Sequence, residues 1–140
     1  MAKTSSKTAV PKKISKELIN RVRAAAKNAY APYSNIRVGA ALYCANGTIY
    51  TGCNVENASY SLTVCAERVA LCKAISEGIK DFTLLLLHSP SVDDITPCGA
   101  CLQVLSEFAP GIVIATMNAK KEFRFHTLET LITKPFGLGK

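Results

Sequence analysis

The chain has 140 residues, with 49% apolar and 19% charged residues and a formal net charge of +7. That length suits one domain rather than two, that composition is not the signature of a disordered chain, and no apolar run approaches the ~20 residues of a membrane-spanning helix. Residues 1–17 hold five lysines and one glutamate, so +4 of the +7 lies there and +3 is left for the remaining 123 residues. The basic excess therefore reads as a polar, disordered N-terminal tail over residues 1–14, ahead of a single domain over 15–140, rather than as a nucleic-acid surface. The tail lacks the apolar centre of a signal peptide and the arginine-rich amphipathic pattern of a transit peptide. Six cysteines in such a chain are expected as reduced thiols in the cytoplasm.

After the tail, Ser15 is placed to cap a helix running to about Ala29, with Leu18, Ile19, Val22, Ala25 and Ala26 on one stripe. Pro32 in "YAPYSN" ends it. "VGAALYC" and "TIYTGC" flank "ANG", a hairpin signal, because Asn-Gly suits turns with positive φ. The loop "NVENASYS" leads to a helix over "CAERVALCKAISEG", with Val69, Leu71, Cys72 and Ile75 as its expected buried face. "FTLLLLHS" is a strand buried on both faces. "PCGACLQVLSEFAPG" opens with proline and closes with Pro-Gly, the asymmetry of a helix. "IVIATM" and "FRFHT" are strands and "LETLI" a short closing helix.

The expected order is α-β-β-α-β-α-β-β-α, an α/β fold with helices on both faces of a mixed five-stranded sheet in three α-β-α layers. Only "NAKKE" separates the last two strands. A parallel pair needs a crossover of about a dozen residues or more, so strands 4 and 5 are expected to be antiparallel.

Cys98 and Cys101 lie three apart at a helix start, so their thiols share a side. The positive end of the helix dipole favours thiolate there. Alone, C-x-x-C also fits a redox pair or two small residues under a sheet. Cys65, opening the preceding helix, is the candidate third ligand, because both helices follow strands of one sheet and can aim their N-termini at one point. Arg68 is placed to donate to a ligand sulfur. Glu67 would diverge from Cys65 by about 200° on a regular helix, so the two face one metal only if Cys65 occupies the cap. A glutamate beside a three-cysteine zinc, without binding it, is placed to move protons between water and a substrate nitrogen.

"CAE" and, thirty residues on, "PCGAC" are similar to the zinc deaminase signature in its three-cysteine form. With "YAPYSN", "VGAAL" and "TGCNVENASYS", the chain resembles the cytidine deaminases of the small, homotetrameric, free-nucleoside type, from about Ala29 to Val104 and more weakly to the C-terminus. The resemblance implies one Zn²⁺ per chain on Cys65, Cys98 and Cys101. It implies hydrolysis of cytidine and deoxycytidine to uridine and deoxyuridine with release of ammonia, as in pyrimidine salvage, with Glu67 protonating N3 and then the departing amino group. It also implies nucleoside binding by the segment Asn54, Val55, Glu56, Asn57, Ala58, Ser59 and Tyr60, and by Ala66 beside the shuttle. Asn54 and Glu56 have side chains able to bind ribose hydroxyls, although Asn and Ser in such a loop also serve plain turn chemistry. Two positions depart from the family pattern: Ile36 stands where many members have an aromatic, and Leu102 where many have arginine. Phe136 matches a C-terminal aromatic that the family inserts into a neighbouring subunit's site.

Cys44, Cys53 and Cys72 are expected to be small buried thiols, and His88 and His126 strand-end residues. A histidine completing the zinc shell would instead make a structural, non-enzymatic zinc module. A polynucleotide deaminase is a rival reading, but deaminases of RNA and DNA share a helix between strands 4 and 5 that makes those strands parallel. A deaminase of a related aminopyrimidine nucleoside, such as an antibiotic, is the nearer rival. No glycine-rich phosphate loop suggests a phosphorylated substrate.

Overall fold

The computed structural model describes residues 13–139. The expected tail therefore lies outside the described residues up to position 12, and Ile14, at its other end, is buried and packs with Leu18 and Val22. Helix α1 spans Lys16–Lys27, and its capping residue is Ser15, whose Oγ accepts from Leu18 N at 3.1 Å. Strands β1 (Gly39–Cys44) and β2 (Ile49–Cys53) form the expected hairpin, with Gly47 at φ +86°. A single 3-10 turn at Tyr60–Leu62 precedes α2 (Ala66–Ser76). Then come β3 (Phe82–His88), α3 (Gly99–Phe108), β4 (Val113–Met117), β5 (Phe123–Thr127) and α4 (Leu128–Leu131).

The sheet order is β2-β1-β3-β4-β5. Only β3 and β4 are parallel, joined across α3; β4 and β5 pair antiparallel, from Val113 opposite Thr127 to Met117 opposite Phe123. The five-residue connection enforces that direction.

Alternation along the strands divides the core. Leu85, Leu87 and Ile114 pack under α2 and α3, while Leu84, Leu86 and Val113 pack on the α1 side. The leucine run is thus buried on both faces, as its sequence requires. Among the described residues, no helix is long and apolar enough to cross a membrane.

Helix α2 departs from the expected face. Its buried residues are Ala66, Glu67, Ala70, Leu71 and Ala74; Val69 and Ile75 are half-buried and Cys72 is exposed. The cause is Gly52 of β2, where an added Cβ would stand 2.4 Å from Ala66 O and 2.6 Å from Ala70 N. Helix and strand meet almost backbone to backbone, with the small Ala66 and Ala70 at the contact and Val69 Cβ beside it at 3.0 Å. Of the three cysteines expected to be small buried thiols, Cys44 is buried, Cys53 half-buried and Cys72 exposed.

Candidate metal centre and nucleoside cavity

Cys65 is the capping residue of α2, in extended conformation at φ −72°, ψ 155°, and Cys98 occupies the equivalent position before α3 at φ −70°, ψ 169°. Pro97 accordingly stands one residue outside the cap rather than within the helix. Because Cys65 precedes regular helix, its thiol and the Glu67 carboxylate reach the same region, the condition the two-residue spacing imposes.

The sulfurs converge. Cys65 Sγ lies 3.9 Å from Cys98 Sγ, and Cys98 Sγ 3.6 Å from Cys101 Sγ. All three lie within 4.8 Å of one another. Sulfurs bound tetrahedrally to zinc at 2.3 Å would be about 3.8 Å apart, so the set has the dimensions of a zinc site. The cluster runs from solvent to core, with Cys98 exposed, Cys65 half-buried and Cys101 buried. The donor chemistry agrees with the geometry. Hydrogen bonding with the Cys101 thiol, aided by Arg68 and Cys98, brings Cys65 down to about 5. The same bond, with burial, pushes Cys101 up. One negative charge is thus accommodated and further charges are opposed, a conflict that a divalent cation among the sulfurs relieves.

Glu67 is 5% exposed, and its Oε2 lies 3.8 Å from Cys101 Sγ. Burial is the main cause holding its carboxyl above the usual range. Arg68 Nη2 donates to Cys65 Sγ at 3.7 Å and to Thr63 O at 3.3 Å, tying the cluster to the loop before it. Neither histidine joins the sulfurs. His88 Nδ1 lies 3.1 Å from Met117 O, and His126 is in β5. Among the described residues, three cysteines make up the group able to hold a metal, with no fourth histidine, cysteine or carboxylate ligand.

A cavity of about 220 Å³ is lined by Tyr33, Ser34, Glu56, Tyr60 and Thr63, and Arg68 links the cluster to it through Thr63 O. Two of these belong to the expected nucleoside segment. Glu56 Oε1 accepts from Tyr33 N at 2.9 Å and Ser34 N at 3.1 Å, and Oε2 accepts from Ser34 Oγ at 2.5 Å. These bonds, the hydroxyl foremost, hold the Glu56 carboxyl below its usual range. Asn54 is buried; its Oδ1 accepts from Val38 N at 2.8 Å, and its Nδ2 donates to Ile36 O at 2.8 Å. Both side chains therefore brace the segment 33–38 that forms the opposite wall.

The remaining residues of the segment divide between backbone pairing and turn chemistry. Val55 pairs with Tyr30 and Val64, and Asn57 Oδ1 accepts from Ser59 N. Ala58 is exposed, and Tyr60, 75% exposed, meets Tyr33 edge-on with ring centroids 5.8 Å apart. Ala66 is wholly buried in the core beneath α2. Ser34 and Thr63 were not singled out by sequence reasoning; the turn residues after Pro32 were the available signal for the first. Ile36 is partly exposed, and Leu102 is 7% exposed and part of the core under the sheet. An apolar residue suits that environment.

Comparison with known proteins agrees with this geometry. Residues 12–117 match the family described as the cytidine and deoxycytidylate deaminase zinc-binding region. A cytidine deaminase of Sporosarcina psychrophila is 42% identical over 121 residues, 86% of this chain and 89% of that one. A probable cytidine deaminase of Dictyostelium discoideum is 47% identical over 104 residues, 74% and 71% of the two chains. The crystal structure of cytidine deaminase from Burkholderia pseudomallei superposes with a TM-score of 0.80 at 41% identity, covering 86% of this chain and 97% of that one.

Proposed function

The chain belongs to the cytidine and deoxycytidylate deaminase zinc-binding family, and on that premise we propose that it hydrolyses cytidine and deoxycytidine to uridine and deoxyuridine, releasing ammonia, as a free-nucleoside enzyme of pyrimidine salvage. The observation that carries the reading is the buried Glu67 carboxylate, 3.8 Å from one of three converging sulfurs. Cys65, Cys98 and Cys101 would hold the zinc. Bound there, zinc supplies Lewis acidity that brings the pKa of a water to about 7.

The protein's own groups do the rest. Glu67 takes a proton from water as its oxygen bonds to C4 of the base, and gives that proton to N3. A second proton passes through the same carboxylate to the amino group, the C4–N bond breaks, and ammonia leaves. Glu56 and Asn54 take the sugar hydroxyls on the acceptor and donor positions that the 33–38 segment leaves free. Arg68 steadies the thiolate of Cys65. Ile36 offers the base an apolar wall in place of ring stacking.

The enzyme is read as a homotetramer in which Phe136 of one subunit completes the site of another. Phe136 is 73% exposed, and Tyr60 of the cavity wall and Leu62 two residues on are 75% and 63% exposed. A cytoplasmic, reducing setting keeps the three thiols available.

The test is an ultraviolet assay with cytidine, deoxycytidine, cytosine, cytidine monophosphate and single-stranded DNA, with and without a zinc chelator. Turnover confined to the two nucleosides and abolished by the chelator is expected. A zinc-loaded protein that leaves both nucleosides unchanged would defeat the reading.

A further inference from the structure

Beyond α4 the chain continues as an exposed strap. Residues 133–139 are all exposed, Phe136 and Leu138 by 73% and 79%. An exposed terminal stretch of this kind frays unless something ties it down. Among the described residues, the hydrogen bonds that tie it to the domain go to a single side chain. Gln103 Nε2 donates to Phe136 O at 2.9 Å, and Phe136 N donates to Gln103 Oε1 at 3.0 Å.

A primary amide carries its donor and acceptor side by side, so it can close a ring with the N–H and C=O of one residue, much as a neighbouring strand would. Pro135, directly before, restricts the backbone further by fixing its own φ. Gln103 is itself firmly mounted. It follows Cys101 and Leu102 on α3, and Leu102 and Leu105 anchor that helix in the core.

We infer that Gln103 is a positioning residue: its amide clamps the Phe136 backbone and fixes the direction in which the Phe136 ring leaves the domain, so that the ring enters the nucleoside site of a second copy of this chain. The inference rests on the reading above, in which Phe136 completes a partner's site. Its physical content is pre-organisation. A strap ordered before assembly loses less conformational freedom when the ring is inserted. Because the bonds are to backbone atoms, the clamp works whatever the ring then contacts.

The test compares the full-length, zinc-loaded wild type with Gln103→Met, Gln103→Glu, Phe136→Ala and the Gln103→Met/Phe136→Ala double variant. Methionine matches the side chain in length but makes neither hydrogen bond; glutamate keeps the acceptor for Phe136 N–H and lacks the donor. Gln103→Met should raise the KM for cytidine about five- to tenfold with kcat within about twofold, zinc content unchanged, and Phe136 amide exchange faster. Gln103→Glu should fall between it and wild type. Phe136→Ala should raise KM at least as much as Gln103→Met, and the double variant should be no worse than Phe136→Ala alone. Damage to the cysteine-bearing helix would instead lower kcat and zinc content.

A wild-type KM in Gln103→Met, with a raised KM in Phe136→Ala, would overturn the clamp and leave the functional reading standing. A wild-type KM in Phe136→Ala would overturn the inference together with the assignment of Phe136. Should wild type fail to convert cytidine, the functional reading falls; unchanged Phe136 amide exchange in Gln103→Met would then overturn the clamp by itself.

Discussion

Glu67 Oε2 stands 3.8 Å from Cys101 Sγ although the two residues are 34 positions apart in the chain. The contact exists because Cys65 and Cys98 both act as capping residues, so two helices begin at one point with their positive ends together. Replacing Glu67 by glutamine keeps size and hydrogen bonding while removing proton transfer. Glu67→Gln is expected to retain its zinc and lose about 10²–10⁴-fold in kcat. Efficient turnover by this variant would place the proton shuttle elsewhere.

Arg68 touches Cys65 Sγ and Thr63 O with the same nitrogen. Arg68→Ala removes the cation beside the sulfurs and one tie to the cavity rim. Zinc affinity, measured by competition with a chromogenic chelator, should fall about 10–100-fold. An unchanged affinity would mean the guanidinium serves the loop alone.

Two glycines near the site should respond oppositely to alanine. At Gly52 the new methyl would meet Ala66 O and Ala70 N at 2.4 and 2.6 Å, and both are backbone atoms that cannot step aside. Gly52→Ala should cost about 1–3 kcal/mol in denaturant unfolding and weaken zinc binding by displacing the start of α2. At Gly99, between the paired cysteines, nothing beyond the adjoining residues and the helix's own backbone lies within 4 Å of the added Cβ. Gly99→Ala should stay within about 0.5 kcal/mol of wild type. Equal losses at the two positions would contradict the packing described.

The bracing of segment 33–38 should depend on pH. Three hydrogen bonds to Glu56, led by that from the Ser34 hydroxyl, lower its pKa from the ordinary 4.5. A carboxyl depressed in the folded state contributes its full stabilisation above the unfolded value and loses it as pH falls through the folded one. Segment 33–38 should accordingly loosen only below about pH 4.5. Ser34→Ala should move the Glu56 titration, followed by carboxyl NMR, back toward 4.5. A titration curve unaltered by the substitution would show that the hydroxyl contributes nothing.

Residues 1–12 carry three of the chain's lysines and none of the residues assigned to the site. Their removal should leave kcat/KM for cytidine within about twofold of the intact chain. A large loss would assign those lysines a part in binding or assembly.

Much of this arrangement could be read from local chemistry. Ser15 marked the start of α1, Asn-Gly the first hairpin, and the five-residue connection the antiparallel direction of β4 and β5. The cysteine trio and Glu67 were legible because a two-residue spacing makes geometric sense only with Cys65 at a cap. What escaped depended on contacts between distant segments. The buried face of α2 could not be found by hydrophobic periodicity, because Gly52, on another element, decides which side chains have room. A glycine inside a strand was the available sign. Asn54 and Glu56 presented themselves in the sequence as ligand-binding side chains, whereas their bonds to residues 33–38 arise only when the chain brings the two loops together. The pairing of Gln103 with Phe136 spans 33 positions and has no local signature.

Gly39 and Gly52 lie on neighbouring strands and face opposite sides of the sheet, Gly39 opposite Cys53 and Gly52 opposite Ala40. Gly39 receives the backbone of α1 at Val22 and Ala26, as Gly52 receives that of α2 at Ala66 and Ala70. At this corner the nearest approaches between helix and strand are to main-chain atoms, with the Cβ atoms of Ala26 and Val69 just beyond them. Those carbonyl and amide atoms are carried by every residue type, so the contact asks for a missing side chain on the strand rather than for a particular one on the helix. The origin of α2, and with it the relation of Cys65 to Glu67, is thereby tied to the absence of a side chain at position 52.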